Sequence, residues 1–203
     1  KMNTFWKRRS LIIIGSAFFF CSPVALINYI VDPLWCFQHN VPIGRYQVAF
    51  DERQQKTDYL AFRKTNIATV IFGNSRVTYM DVLPVPGKAF NYAASSLSPK
   101  EFLPYLQFAA SRSTSPIKTV ILGLSFGDSN ARIKSSFISP IDYIEKATSL
   151  CFRFRSLVDL NLLRYSIASI RRELQGNYHD AYVRMGKEVS SKRMMFPVPP
   201  EIQ

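Results

Sequence analysis

The residues best suited to chemistry are Gly73-Asn74-Ser75-Arg76, which follow directly on an apolar run at 67–72 (I-A-T-V-I-F). A serine hydroxyl attacks a carbonyl when it stands exposed at the mouth of a site, with a base to take its proton and backbone N–H groups to hold the developing oxyanion. Gly73 and Asn74 tolerate the tight turn that such a presentation requires. The run before them is short, β-branched and aromatic, the pattern of a strand buried on both faces in a parallel sheet. In open α/β sheets ligands sit beyond the carboxyl ends of the strands, which is where Ser75 would stand. The plainer alternative makes Ser75 a helix N-cap in a polar strand-to-helix turn.

Two further apolar stretches must position this turn. Residues 88–92 (K-A-F-N-Y) read as a second strand, followed by the small-residue turn Ala93-Ala94-Ser95-Ser96. Ser98-Pro99-Lys100-Glu101 then starts a helix, with a cap at Ser98, proline in the first turn and glutamate three residues on. That helix runs to about Ala110. Residues 118–124 (K-T-V-I-L-G-L) read as a third buried strand, with Ser125-Phe126-Gly127-Asp128-Ser129-Asn130 at its carboxyl end.

The order strand, G-N-S, then F-N-Y-A-A-S-S-L-S-P, a helix, and T-V-I-L-G-L-S-F resembles the SGNH (GDSL-like) hydrolase superfamily, over about residues 32–186. Within it the likeness is to membrane-anchored, extracytoplasmic members such as the teichoic-acid D-alanine transfer protein and the alginate O-acetylation proteins. The resemblance implies a flavodoxin-like parallel-sheet domain with Ser75 as nucleophile. It implies backbone N–H donors to the oxyanion at Arg76 and Ser95, with Gly73, Asn74 and Asp128 lining the ligand site. The chain departs from the family at three places. A glycine expected in the oxyanion turn is replaced by Ala93-Ala94-Ser95-Ser96. The G-x-N-D block has no asparagine in its place, leaving Ser125, Asp128 or Asn130 as partial substitutes. No D-x-x-H occurs; His179-Asp180 has the reverse order, and the other histidine, His39, falls in a loop stretch. Without a base, serine is a weak nucleophile at neutral pH. Three accounts stand: the chain is the N-terminal part of a longer protein with its base beyond Gln203, it is a degenerate relative kept as a scaffold, or His179 serves.

Residues 1–10 carry Lys1, Lys7, Arg8 and Arg9 and no acid, and residues 11–31 carry no charge at all. At about 1.5 Å per residue these 21 residues span the hydrocarbon thickness of about 30 Å. The positive flank places the N-terminus in the cytoplasm and the rest outside, as expected of a single-pass protein of the bacterial cytoplasmic membrane. A cleaved signal peptide is the rival, but no A-x-A pattern follows the apolar segment. The expected organisation is a cytoplasmic tail at 1–10, a transmembrane helix at 11–31, a juxtamembrane connector at 32–66 and an α/β domain at 67–203. Asp32-Pro33 ends the first helix, and residues 34–44 read as an irregular stretch lying on the membrane surface. Residues 50–65 read as a helix or loop whose Arg53 and Lys56 either face an anionic group or, the plainer reading, lie on a solvated face.

The net charge is +12, with 26 Lys and Arg against 14 Asp and Glu. A basic balance admits anionic lipid, acidic glycan or nucleic acid, but the basic residues are scattered and no nucleic-acid motif is present. Cys21, Cys36 and Cys151 have no metal-ligand spacing; Cys36 and Cys151 either pair or, with Cys21, stay as mostly buried free thiols. No cofactor or metal is expected. Another helix begins at Ser139-Pro140 and runs to about Cys151. Residues 156–175 form a longer amphipathic helix, suited to packing on the sheet, although its arginines also suit a membrane surface. Residues 178–203 show no strong period. The expected function is an extracytoplasmic acyl hydrolase or O-acyltransferase acting on a glycan or lipid ester, working with a multi-span acyl donor. The alternatives are a non-catalytic subunit of a membrane complex, and a module that holds an anionic ligand at 73–76 without chemistry.

Overall fold

The computed structural model describes residues 4–37, 46–48, 50–78, 80, 82, 85, 87–125, 139–175, 181–185 and 188–191. The chain is mixed α/β. Helix α1 (Thr4–Val31) leads to a short strand β1 (Tyr46–Val48) and helix α2 (Glu52–Phe62). Then come β2 (Thr69–Gly73), β3 (Ala89–Asn91), α3 (Pro99–Arg112) and β4 (Thr119–Gly123). Three helices follow, α4 (Pro140–Thr148), α5 (Leu150–Leu157) and α6 (Leu160–Leu174), and then a hairpin, β5 (Ala181–Met185) and β6 (Glu188–Ser191).

Strands β2, β3 and β4 form a three-stranded parallel sheet in the order β3-β2-β4, so the first of the three in the chain is central. Val70 aligns with Phe90 and Val120, and Gly73 with Gly123. A second, antiparallel sheet joins β1, β5 and β6 in the order β1-β5-β6. Its hairpin falls in the stretch where the sequence showed no strong period.

One face of the parallel sheet carries Val70, Phe72, Phe90 and Tyr92, which pack against Tyr59 and Leu60 of α2 and Phe102, Tyr105 and Phe108 of α3. The Phe72 ring stacks on Tyr92 at 5.7 Å and on Phe102 at 5.1 Å between centroids. The other face carries Ile71 and Ala89, covered by Val82 with Val77, Met80 and Val85. Strand β4 departs from the expected double burial. It pairs only with β2 among the described residues, and its Val120, Leu122 and Leu124 are 39%, 51% and 62% exposed.

Several other expectations need correction. Helix α2 is no solvated face: nine of its eleven residues are buried, Arg53 and Lys56 among them, because α3, α4 and the turn after β3 close around it. The segment after α1 does not lie on a surface either. Residues 31–37 are buried, with the Trp35 ring 6.1 Å from Tyr59, and Asp32 caps the turn by accepting from the N–H groups of Cys36 at 2.7 Å and Phe37 at 2.9 Å. Helix α6 packs against α1 and β1 rather than on the parallel sheet. The single helix expected up to Cys151 is in fact two, because the Ser149 hydroxyl caps a new start by accepting from Phe152 N–H. Likewise α6 starts at Leu160, where the Asp159 carboxylate accepts from Asn161 and Leu162. All three cysteines are free; Cys36 is buried while Cys21 and Cys151 are exposed, so neither a Cys36–Cys151 bridge nor three mostly buried thiols describes them.

Candidate functional site

The candidate site lies at the carboxyl end of the parallel sheet, where β2 ends in Gly73 and the chain turns sharply. Asn74 O accepts from the N–H groups of Val77 at 2.9 Å and Thr78 at 3.2 Å, which winds residues 74–78 into a single helical turn. The turn fits only because two glycines leave room. A Cβ on Gly73 would stand 2.6 Å from the Val77 side chain, and one on Gly123 only 2.2 Å. Val77 thus lies over the aligned Gly73–Gly123 pair, and the ends of β2 and β4 form its seat. Ser75 and Arg76 project from this turn, both exposed, and among the described residues no group is hydrogen-bonded to the Ser75 hydroxyl.

Asn74 ties the turn to the neighbouring strand. Its Nδ2 donates to Ser125 Oγ at 3.0 Å, just past the end of β4. Its Oδ1 accepts from the Arg76 N–H at 3.1 Å. On the other side, Ala94 N–H donates to Gly73 O at 3.1 Å, so the turn after β3 runs directly alongside. Asn91, at the end of β3, donates from Nδ2 to Val77 O and Met80 O and accepts from Ala93 N–H at Oδ1. One buried amide therefore fixes both turns relative to each other.

The turn at 93–96 is held from behind by the first half of α2. Glu52 accepts from the Ser95 N–H at 2.5 Å and from its hydroxyl at 3.3 Å. Arg53 donates to Ser95 O at 2.8 Å and to Ser96 O at 3.0 Å, while its Nε pairs with buried Glu101 at 3.1 Å. That fork holds Ser96 in the left-handed region, at φ 55°, a conformation serine rarely adopts unaided. Lys56 donates from Nζ to Ala93 O and to Thr78 Oγ1. Thr78 Oγ1 in turn lies 2.8 Å from Ala93 O and 3.2 Å from Glu52.

Burial shapes the charge of these supports. It lowers the Lys56 ammonium to about 8, against the pull of the Glu52 carboxylate, which favours the charged form. On the far face of α2, burial pushes the Asp58 carboxyl well up, opposed by hydrogen bonds from Gln54 and Cys36. The Cys36 thiol is pushed far above its ordinary range by burial and by Asp58 and Asp32, so this cysteine is an inert packing group.

Gly73, Asn74, Ser75, Arg76 and Ser95 are thus brought to one end of the sheet, with Ser125 beside them. Asp128, Asn130, His39 and His179 lie outside the described residues. The two backbone donors expected at the oxyanion are both engaged, Arg76 N–H with Asn74 and Ser95 N–H with Glu52. An incoming oxygen would have to displace an amide oxygen from one and a carboxylate from the other. Among the described residues no cluster of His, Cys, Asp or Glu is placed to hold a metal ion. Glu52, Arg53, Lys56, Thr78 and Asn91 were not legible as site residues, since E-R-x-x-K on a polar helix reads as a water-facing surface. No protein-family model, curated protein or solved structure matches the chain.

Proposed function

We propose that the chain is a membrane-anchored, extracytoplasmic SGNH-like domain in which Ser75 transfers or hydrolyses the acyl group of a glycan or lipid ester. The observation that carries the reading is the placement of Ser75, exposed on a tight turn at the carboxyl end of the central strand and flanked by the turn after β3. The order β3-β2-β4 is that of the first three strands of a flavodoxin-like sheet, and in such sheets the ligand crevice opens between the first strand and the third. Asn74 and Ser125 bridge that point. Helix α1 is long and apolar enough to cross a membrane, and its basic N-terminal flank supports a cytoplasmic N-terminus with the domain outside.

In the reaction Ser75 Oγ forms a bond to the ester carbonyl carbon and passes its proton to a base supplied from outside the described residues, which returns that proton to the departing alcohol as the carbonyl–oxygen ester bond breaks. The tetrahedral oxyanion takes the N–H groups of Arg76 and Ser95, and its collapse expels the alcohol. A second acceptor, water or a sugar hydroxyl, then releases the acyl group from Ser75. The test is a fluorophosphonate probe with the full chain in nanodiscs, followed by turnover of an activated ester. Wild type should label at Ser75. Ser75→Ala should lose both label and turnover while its stability changes by less than about 0.5 kcal/mol, as expected for an exposed side chain. Turnover retained in Ser75→Ala would remove the serine from the mechanism.

The engaged state of the Arg76 and Ser95 N–H groups favours a second reading, a non-catalytic subunit of a membrane complex. A folded wild type that takes no label in native membranes is the outcome that selects it.

A further inference from the structure

The last turns of α1 are not bare. Up to Pro23 the helix is exposed wherever its side chains are described, but from Val24 onward one side of it packs against the α5–α6 pair, while Leu26 and Tyr29 stay exposed on the other. Asn28 is the joint. Its Nδ2 donates to Leu157 O at 2.9 Å and Asp159 O at 3.0 Å, and its Oδ1 accepts from Ser166 Oγ at 2.8 Å. Both helices therefore meet α1 at the level of Asn28. Counted from Arg9 at about 1.5 Å per residue, a hydrocarbon core about 30 Å thick ends near Tyr29. The α5–α6 pair thus stands at the outer boundary between acyl chains and headgroups.

The outward faces of these helices match that depth. On α5, Leu150 and Phe154 are each 64% exposed, and Val158 continues the same stripe one turn on. On α6, Leu160, Ile167 and Leu174 alternate at helical spacing with Arg164 and Arg171, all exposed. Arg155 is the exposed charge on α5, and no acidic residue of α5 or α6 is exposed; Asp159 and Glu173 are half-buried. Arg153 is turned inward instead, over the rings of Phe37 and Phe62. Large apolar side chains interleaved with long cationic ones form the pattern of a helix seated in an anionic interface, with the arginines reaching up to phosphates.

We propose that the outward faces of α5 and α6 form a second membrane contact, seated in the headgroup–acyl boundary of an anionic phospholipid leaflet beside the exit of α1. This rests on the reading of α1 as a membrane span, and the test separates the two. The full chain carries an environment-sensitive fluorophore either at Cys151, on the exposed side of α5, in a Cys21→Ser background, or at Cys21 in a Cys151→Ser background. Cys36 is buried and stays unlabelled. Each is placed in nanodiscs of phosphatidylcholine and phosphatidylglycerol containing nitroxide lipids. The expected result is a blue-shifted Cys151 label that loses most of its emission to headgroup-proximal nitroxides, beside a Cys21 label quenched by deep ones. A quenched Cys21 label with a water-like Cys151 label overturns the second contact and leaves the span intact; a water-like label at both positions overturns both. A photoactivatable phosphatidylglycerol added to the unmodified chain gives an independent check. Cross-links should fall within residues 150–175, and their absence there, with cross-links present on α1, would point to a protein rather than lipid as the covering group.

Discussion

At Lys56 an ammonium sits with almost no exposed surface, held by Ala93 O and Thr78 Oγ1 behind the turn that carries Ser95. Burial lowers it to about 8, from an ordinary value of 10.5. Below pH 8 folded and unfolded chains both bind the proton, and the cost of burying the charge is present in full. Between pH 8 and about 10.5 the unfolded chain keeps the proton that the folded chain has released, so stability rises with pH across that window. The gain is of order 3 kcal/mol. Urea unfolding of wild type and Lys56→Met at pH 7.5 and pH 10 should show this rise in wild type alone; an equal change in both would mean that Lys56 is not titrating there. None of this was legible from the residue types. In sequence, Lys56 belongs to a run of Glu, Arg and Gln that looks water-facing, and only the closure of α3, α4 and the turn at 93–96 around it reverses that reading. Ser75 was legible, because glycine and asparagine ahead of a serine, after a β-branched run, leave few local conformations other than an exposed turn.

The same contrast holds among the elements. The parallel strands and the start of α3 follow from local chemistry: β-branched runs for the first, and for the second a Glu101 carboxylate that accepts from the Ser98 N–H at 3.1 Å. The break between α4 and α5 and the late start of α6 are set by Ser149 and Asp159, single caps that a continuous apolar period conceals. The β5–β6 hairpin gave no periodic signal, since its pairing is with β1, far away in the chain. The exposure of β4 is likewise a matter of tertiary neighbours rather than of its own sequence. Where β4 ends, its last glycine has a task that can be tested. Gly123→Ala drives a methyl group into Val77 and must shift the turn beneath Ser75. A stability loss of about 1–3 kcal/mol is expected, with fluorophosphonate labelling slowed by up to about 100-fold if Ser75 moves by around 1 Å. Adding Val77→Ala should restore most of the labelling rate. Failure of that rescue would show that the two glycines do not set the position of the turn.

For the molecule as a whole, the joint at Asn28 decides how the helix that leads in and the domain that follows are related. Asn28→Leu removes the amide shared by the carbonyls of Ser156, Leu157 and Asp159 and by the Ser166 hydroxyl. A loss of about 2–3 kcal/mol in thermal unfolding in detergent is expected, with faster amide exchange in α5 and α6. Unchanged exchange would mean that apolar packing alone holds the pair to α1. There is also no slack between α1 and the domain. Val31 leads at once into a capped, buried turn that inserts Trp35 beside Tyr59. A domain on a loose tether can sweep a volume; this one is bolted at a fixed stand-off. Given a membrane-spanning α1 and the proposed role of Ser75, the turn that carries it can meet only what is presented at its own height above the lipid, and its search for a substrate is lateral, carried out by diffusion in the plane of the bilayer.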